Sequence, residues 1–166
     1  MGEAEKLNIE VMEARKTILG NDHPDTLTSM TNLASTYYSQ GRWEEAEKVA
    51  VQVMQARRKK IGSDHPDTLR SVHNVASTYL KQGRLQEAEQ LFVQVMETRR
   101  TKLGVNHPET LVSMADVAFT WKTLGRNFEA IALLQACCAQ RYQTLGLNNP
   151  DTLSSFGMLL EWKAEG

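Results

Sequence analysis

The sequence predicts an all-α fold, a stack of antiparallel helical hairpins with about eight helices in all. Three observations predict it. The block His23-Pro24-Asp25-Thr26-Leu27 returns as His65-Pro66-Asp67-Thr68-Leu69, His107-Pro108-Glu109-Thr110-Leu111 and Asn149-Pro150-Asp151-Thr152-Leu153, so prolines at 24, 66, 108 and 150 mark a period of 42 residues. Inside each period, apolar residues recur three and four apart, the spacing of one helix face. Glycines divide each period, with Gly41, Gly83 and Gly125 at its middle and Gly20, Gly62, Gly104 and Gly146 near its joint. Fixed-step repetition of this length is the mark of a stacked array.

The elements follow in order. Glu3-Ala4-Glu5-Lys6 aligns with Glu45-Ala46-Glu47-Lys48, so the chain opens inside the second helix of a repeat, and Met1-Gly2 reads as an appended remnant. In the first full unit Pro24 suits the first helical position, where its missing N–H is not needed. Asp25 sets a negative charge near the positive end of the helix dipole. Leu27, Met30, Leu33, Ala34 and Tyr37 then share a face, and Gly41-Arg42 ends the helix. A second helix begins near Trp43, turns Ala46, Val49, Ala50, Val53 and Met54 inward, and closes on Arg57-Arg58-Lys59-Lys60, cations that complement a helix C-terminus. The next units repeat the plan with Leu69, Val72, Val75, Ala76, Tyr79 and then Leu85, Ala88, Leu91, Phe92, Val95, Met96, and with Leu111, Met114, Val117, Ala118, Trp121 and then Ala130, Leu133, Leu134, Cys137, Cys138. The last first-helix places Gly157-Met158 where Thr31-Asn32 stood and Lys163 in the Tyr37 slot, with Trp162 one residue earlier, so its register is the least regular. The domain reading is one array over 1–166: a partial unit 1–22, units 23–64, 65–106 and 107–148, and a partial unit 149–166, a fragment of a longer array. No hairpin of this kind can bury its own apolar face, so neighbours must stack. Open ends expose apolar surface, and end-to-end self-association is the expectation.

Composition narrows the function. Of 166 residues, 41% are hydrophobic and 23% charged, and the net charge is −1, which gives no electrostatic case for nucleic acid. No segment approaches the ~20 apolar residues of a membrane span. Cys137 and Cys138 are adjacent and cannot staple distant segments, so a reducing compartment, the cytoplasm, is expected. The two cysteines fill slots held by Val53-Met54 and Val95-Met96 and read as core residues. His23, His65 and His107 lie one repeat apart and read as helix caps or loop braces; no metal site and no cofactor is expected. Glu44, Glu45, Glu87 and Glu89 read as solvated. No residue set supports catalysis, so the chain is not expected to be an enzyme.

The run Asn32-Leu33-Ala34…Tyr37…Gly41…Glu45-Ala46-Glu47 resembles a tetratricopeptide repeat. The 42-residue period, with Leu/Ile-Gly and His-Pro-Asp-Thr-Leu at the joint, resembles the repeats of kinesin light chain, and also the arrays of multidomain nucleotide-binding signalling proteins. The resemblance covers residues 3 to about 155. It implies an α-α superhelix (solenoid), right-handed, with a concave groove lined by the first helix of each unit and a peptide or protein ligand in it.

The groove candidates are exposed first-helix positions that vary between units: Asn32, Ser35 and Tyr38; Arg70, His73, Asn74, Ser77 and Lys81; Asp116, Phe119 and Lys122. Asn32 and Asn74 match the groove asparagine of the family, whose amide can grip a peptide backbone, or they are solvated amides. Asp116 breaks that series. His73 is either a surface residue or a groove contact. Arg70, Lys81 and Lys122 make the groove mildly basic, and Phe119 is either an apolar anchor or packs on the truncated unit beside it. The ligand this describes is an extended peptide or protein with acidic and apolar residues. Arg15, Arg57, Arg99 and Arg141 recur in every unit and are read as structural, bridging to Asp25, Asp67, Glu109 and Asp151, rather than as a ladder for an acidic ligand. The leading function is a protein-binding scaffold or adaptor. The alternative is a sensor or oligomerisation array cut from a larger nucleotide-dependent signalling protein.

Overall fold

The computed structural model describes residues 3–165, with Ala4 described by its backbone alone; Met1-Gly2, read above as an appended remnant, lies outside the described residues. These residues form eight α-helices and, among the described residues, no strand: α1 (Glu3–Leu19), α2 (Pro24–Ser39), α3 (Trp43–Ile61), α4 (Pro66–Lys81), α5 (Leu85–Leu103), α6 (Pro108–Thr123), α7 (Asn127–Leu145) and α8 (Pro150–Ala164). The chain divides into two compact bodies, Met1–Arg84 with α1 to α4 and Leu85–Gly166 with α5 to α8. In the first, α1 packs on α2, α2 on α3 and α3 on α4; in the second, α5 packs on α6, α6 on α7 and α7 on α8. None of the described helices is long and apolar enough to cross a membrane.

The repeated joint builds each first helix. The Nδ1 atoms of His23, His65 and His107 accept hydrogen bonds from the backbone N–H groups of Asp25 (3.2 Å), Asp67 (3.1 Å) and Glu109 (3.2 Å), and Asn149 Oδ1 does the same for Asp151 (2.9 Å). Each cap satisfies an N–H that the helix itself leaves without a partner. The imidazole must present an unprotonated Nδ1 and therefore carries its proton on Nε2. At the other end of the period, Gly62 closes α3 with φ 91° and ψ 161°, a conformation open to glycine and strained for a side-chain-bearing residue.

Small residues let the helices approach. Ala34 of α2 and Ala46 and Ala50 of α3 are buried beside Leu27, Leu33 and Val53 in the first body. In the second, Ala118, Ala130, Leu134, Cys138, Leu159 and Trp162 form one cluster, with Trp121, Ile131, Leu133, Phe156 and Met158 packed against it. Each fully buried Leu, Val or Met side chain contributes about 1.5–3 kcal/mol. Helix α8 runs unbroken past the irregular stretch: Trp162 is buried and Lys163 is exposed, so the aromatic ring enters the core from the slot that holds Thr36, Thr78 and Thr120 elsewhere, and the Tyr37 slot is given to solvent.

Two sets of arginines tie helices together. Nη1 of Arg15, Arg57, Arg99 and Arg141 donates to the backbone carbonyls of Asp25 (3.1 Å), Asp67 (3.2 Å), Glu109 (3.3 Å) and Asp151 (2.9 Å). The same nitrogens donate to the hydroxyls of Ser29, Ser71, Ser113 and Ser155. The expected bridge is there, but carbonyls and serines receive it; among the described residues only Arg99 also reaches a carboxylate, Glu109 Oε2 at 2.8 Å. The second set follows each mid-repeat glycine. Arg42 and Arg84 bind Glu5 (2.6 Å) and Glu47 (2.8 Å), and Arg126 binds Glu89. Their guanidinium carbons lie 4.3, 3.8 and 4.6 Å from the ring centroids of Tyr37, Tyr79 and Trp121. Glu89 is thus not solvated: it accepts from Trp121 Nε1 at 2.7 Å as well as from Arg126. Glu45 is likewise engaged, on Arg42, whose hydrogen bond holds its carboxyl below the usual carboxylate range.

Cys137 and Cys138 are buried free thiols, and Cys137 Sγ donates to the Leu111 carbonyl at 3.2 Å. Burial pushes Cys137 up to about 11 and also raises Cys138, although Arg141 opposes both shifts. Two tests follow from this core. Trp162→Ala should cost about 3–5 kcal/mol in denaturant unfolding while Lys163→Ala stays within about 0.5 kcal/mol; equal effects would place the wrong residue inside. A thiol reagent at pH 8 should label neither cysteine in the native protein and both in denaturant. Because the folded thiol keeps its proton longer than the unfolded one, stability should be whole below pH 9 and fall as pH rises toward 11, and Cys137→Ala should flatten that fall.

Candidate functional site

In the first body, α2 carries Asn32, Ser35 and Tyr38, and α4 carries Arg70, His73, Asn74, Ser77 and Lys81. Ser35, Tyr38, Asn74 and Ser77 come together: with Ala34, Ala50 and Thr78 they line a cleft of about 170 Å³. Its depth comes from Ala34 and Ala50, since larger side chains there would fill it. Asn32, Arg70, His73 and Lys81 lie outside its lining. Asn32, Arg70 and Lys81 are exposed and His73 is half-buried.

The polar groups of the cleft are arranged to accept and donate. Ser35 and Ser77 donate their hydroxyl protons to carbonyls of their own helices, at Thr31 (3.0 Å) and His73 (2.9 Å), which leaves oxygen lone pairs as acceptors. Burial raises the Tyr38 pKa, so the phenol stays neutral and keeps a donor. The half-buried amide of Asn74 lines the same cleft, and no described residue hydrogen-bonds it. An amide in that position offers two donors and one acceptor to whatever enters.

The second body is different. On α6, Phe119 is 47% exposed, beside Val112 at 40%, and Asp116 is half-buried. Lys122, expected to be a groove cation, is spent inside the body: its Nζ binds Glu165 Oε2 at 2.8 Å and sits 5.8 Å from the Trp162 ring centroid. Among the described residues there is no group of three or more His, Cys, Asp or Glu side chains able to hold a metal ion.

Sequence reasoning missed the serines that receive the first arginine set and the Glu–Arg pairs of the second. The signal was present. Ser29, Ser71, Ser113 and Ser155, and also Glu5, Glu47 and Glu89 with Arg42, Arg84 and Arg126, all keep the 42-residue step.

The tetratricopeptide-repeat family profile matches residues 1–59, 32–101 and 67–143. Among solved structures, the chain superposes on nearly identical TPR-like repeats of a Podosopora anserina protein assigned provisionally to kinesin light chain, with 30% identity and a TM-score of 0.82 over 98% of this chain and 79% of that one. A single-substitution variant of those same repeats gives 30% identity and a TM-score of 0.83 over 98% and 78%. BtubC (BKLC) from P. vanneervenii gives a TM-score of 0.82 at 17% identity, over 98% of this chain and 66% of that one, a likeness of fold alone. No curated protein matches the chain significantly.

Proposed function

Because the chain belongs to the tetratricopeptide-repeat family, of the kinesin-light-chain type, whose repeats mediate protein–protein interaction, we propose that it holds an extended peptide segment of a partner protein across α2 and α4. The observation that carries this reading is the unengaged Asn74 amide in the cleft beside Ser35, Tyr38 and Ser77. A peptide in extended form exposes a backbone N–H and C=O at every residue, and a side-chain amide can pair with both without reading the side chains. Small serines around it leave room for the backbone to approach. Side-chain preference then comes from Arg70 and Lys81 on α4, which favour acidic residues; separately, on α6 of the second body, Phe119 offers an exposed apolar anchor. Arg70 is held by Asp67 Oδ1 at 2.7 Å, but both groups are largely exposed, so a ligand carboxylate competes on nearly equal terms.

The test is selection from a random peptide-display library on the wild-type protein, followed by amide chemical-shift mapping. Selected peptides should perturb residues of α2 and α4. Asn74→Ala should weaken them about fivefold, the loss of one net hydrogen bond, with helicity unchanged by circular dichroism. Selected peptides that bind Asn74→Ala as tightly as wild type, or that map elsewhere, would overturn the proposal.

A further inference from the structure

A second cavity of the first body, about 250 Å³, opens where the N-terminal ends of α2 and α4 meet the C-terminal end of α3. Its charged lining is unbalanced. Arg57, Lys60 and Arg70 face one carboxylate, Asp67, and His65 adds an imidazole whose Nδ1 is already accepting from Asp67 N–H, so its proton sits on Nε2 as a further donor. Lys60 donates to the Asp22 carbonyl at 2.9 Å, a neutral group that leaves its charge uncompensated.

Arg57, like Arg15 and Arg141, is bonded by a carbonyl and a serine hydroxyl, and one repeat shows what closing that arginine with a carboxylate looks like. In the second body the equivalent of Arg57 is Arg99, and Arg99 Nη2 is neutralised by Glu109 Oε2 at 2.8 Å. In the first body the residue at that place is Asp67, one methylene shorter, and its Oδ1 turns to Arg70 instead. Arg57 is only 6% exposed, its bonds run through Nη1 to a carbonyl and a serine, and among the described residues no carboxylate bonds it. Arg70 is itself a departure, standing where the other repeats have Thr28, Val112 and Ser154. Burial lowers the Arg57 pKa, Asp67 raises it, and the neighbouring Arg70 charge lowers it again. A buried guanidinium without its counter-ion is costly unless something supplies the charge.

We propose that this cavity, lined by Arg57, Lys60, His65 and Arg70, is an oxyanion site that takes the phosphate monoester of a phosphoserine or phosphothreonine on the bound partner. The excess of two positive charges selects a dianion over a single carboxylate, since a phosphorylated side chain carries close to two negative charges at neutral pH. Guanidinium groups match phosphate oxygens with paired hydrogen bonds. The phosphorylated-partner part rests on the peptide-binding reading; the anion site does not.

The experiment separates them. Isotope-labelled protein is titrated with inorganic phosphate, and in parallel with sodium acetate and sodium chloride at equal ionic strength. Phosphate should give saturable shifts at amides 65–70 and at the Arg57 and Arg70 side chains, while chloride and acetate give weak, linear ones. Arg70→Gln and Lys60→Gln, both at exposed positions, should each weaken phosphate about tenfold, the loss of one charge-assisted hydrogen bond. Asn74→Ala should leave phosphate binding unchanged. Non-saturable shifts, equal binding of acetate, or retention of phosphate by both variants would overturn the site. If phosphate binds and phosphorylated library peptides are captured no better than their unphosphorylated parents, the phosphopeptide assignment falls and the anion site stands.

Discussion

The packing within each body follows from the fact that a helical hairpin with apolar residues on both sides has no stable surface of its own. Its alanines and valines must meet those of a neighbour, and the angle of that meeting is held by the arginine that ends each second helix. Arg57 and its counterparts reach from one helix into the first turn of the next, where the carbonyl and hydroxyl they bind are placed by the histidine cap and the proline. The cap, the turn and the arginine therefore act as one joint. At Arg99 the joint is closed by the Glu109 carboxylate; at Arg57 it is not, and a cavity lined by Arg57, Lys60 and Arg70 lies beside it.

Much of this was legible in the residues themselves. Helix starts were readable because proline and a first-turn acid have a single structural use at that place, and the inward faces were readable because alanine at a fixed step has no other purpose than close approach. The polar contacts were harder. A serine or a glutamate on a helix looks the same to a periodicity argument whether water or an arginine faces it, so Glu89 reads as solvated and Ser71 is given no role. Trp162 shows the opposite limit: in α8 the ring took the core one position away from the slot the alignment assigned, because burying an indole outweighs keeping the register of a repeat. Lys122 could not be read correctly from its own helix, since the carboxylate that holds it lies at the end of α8. Asn74 was readable as a candidate because it matches the groove asparagine of the resembled family; the cleft it lines was not, because cleft depth depends on Ala50 of α3.

Positions that keep the period and positions that break it divide the work. The former make the scaffold and leave its surface uniform. The latter (Arg70 against Thr28 and Val112, Phe119 against Ser35 and Ser77, Asp67 against Glu109) give each stretch of surface a chemistry of its own without disturbing the joints beneath. Asp67 pairs with Arg70, a residue the third unit replaces with Val112, and Glu109, one methylene longer, pairs with Arg99.

The clasp after each mid-repeat glycine has a consequence for how such a chain grows. Glu5 and Arg42, Glu47 and Arg84, and Glu89 and Arg126 are each 37 positions apart, and each joins two successive repeats. The segments 23–64 and 65–106 therefore each carry the acid for the segment that follows and the base for the one that precedes, whereas 107–148 keeps the base, Arg126, and has Ile131 in the place of the acid. A gene duplication that copies either of those two periods in frame delivers both halves of the fastening at once. Length can then change in a single genetic step, with no compensating mutation, while selection acts on the few surface residues that make one copy differ from the next.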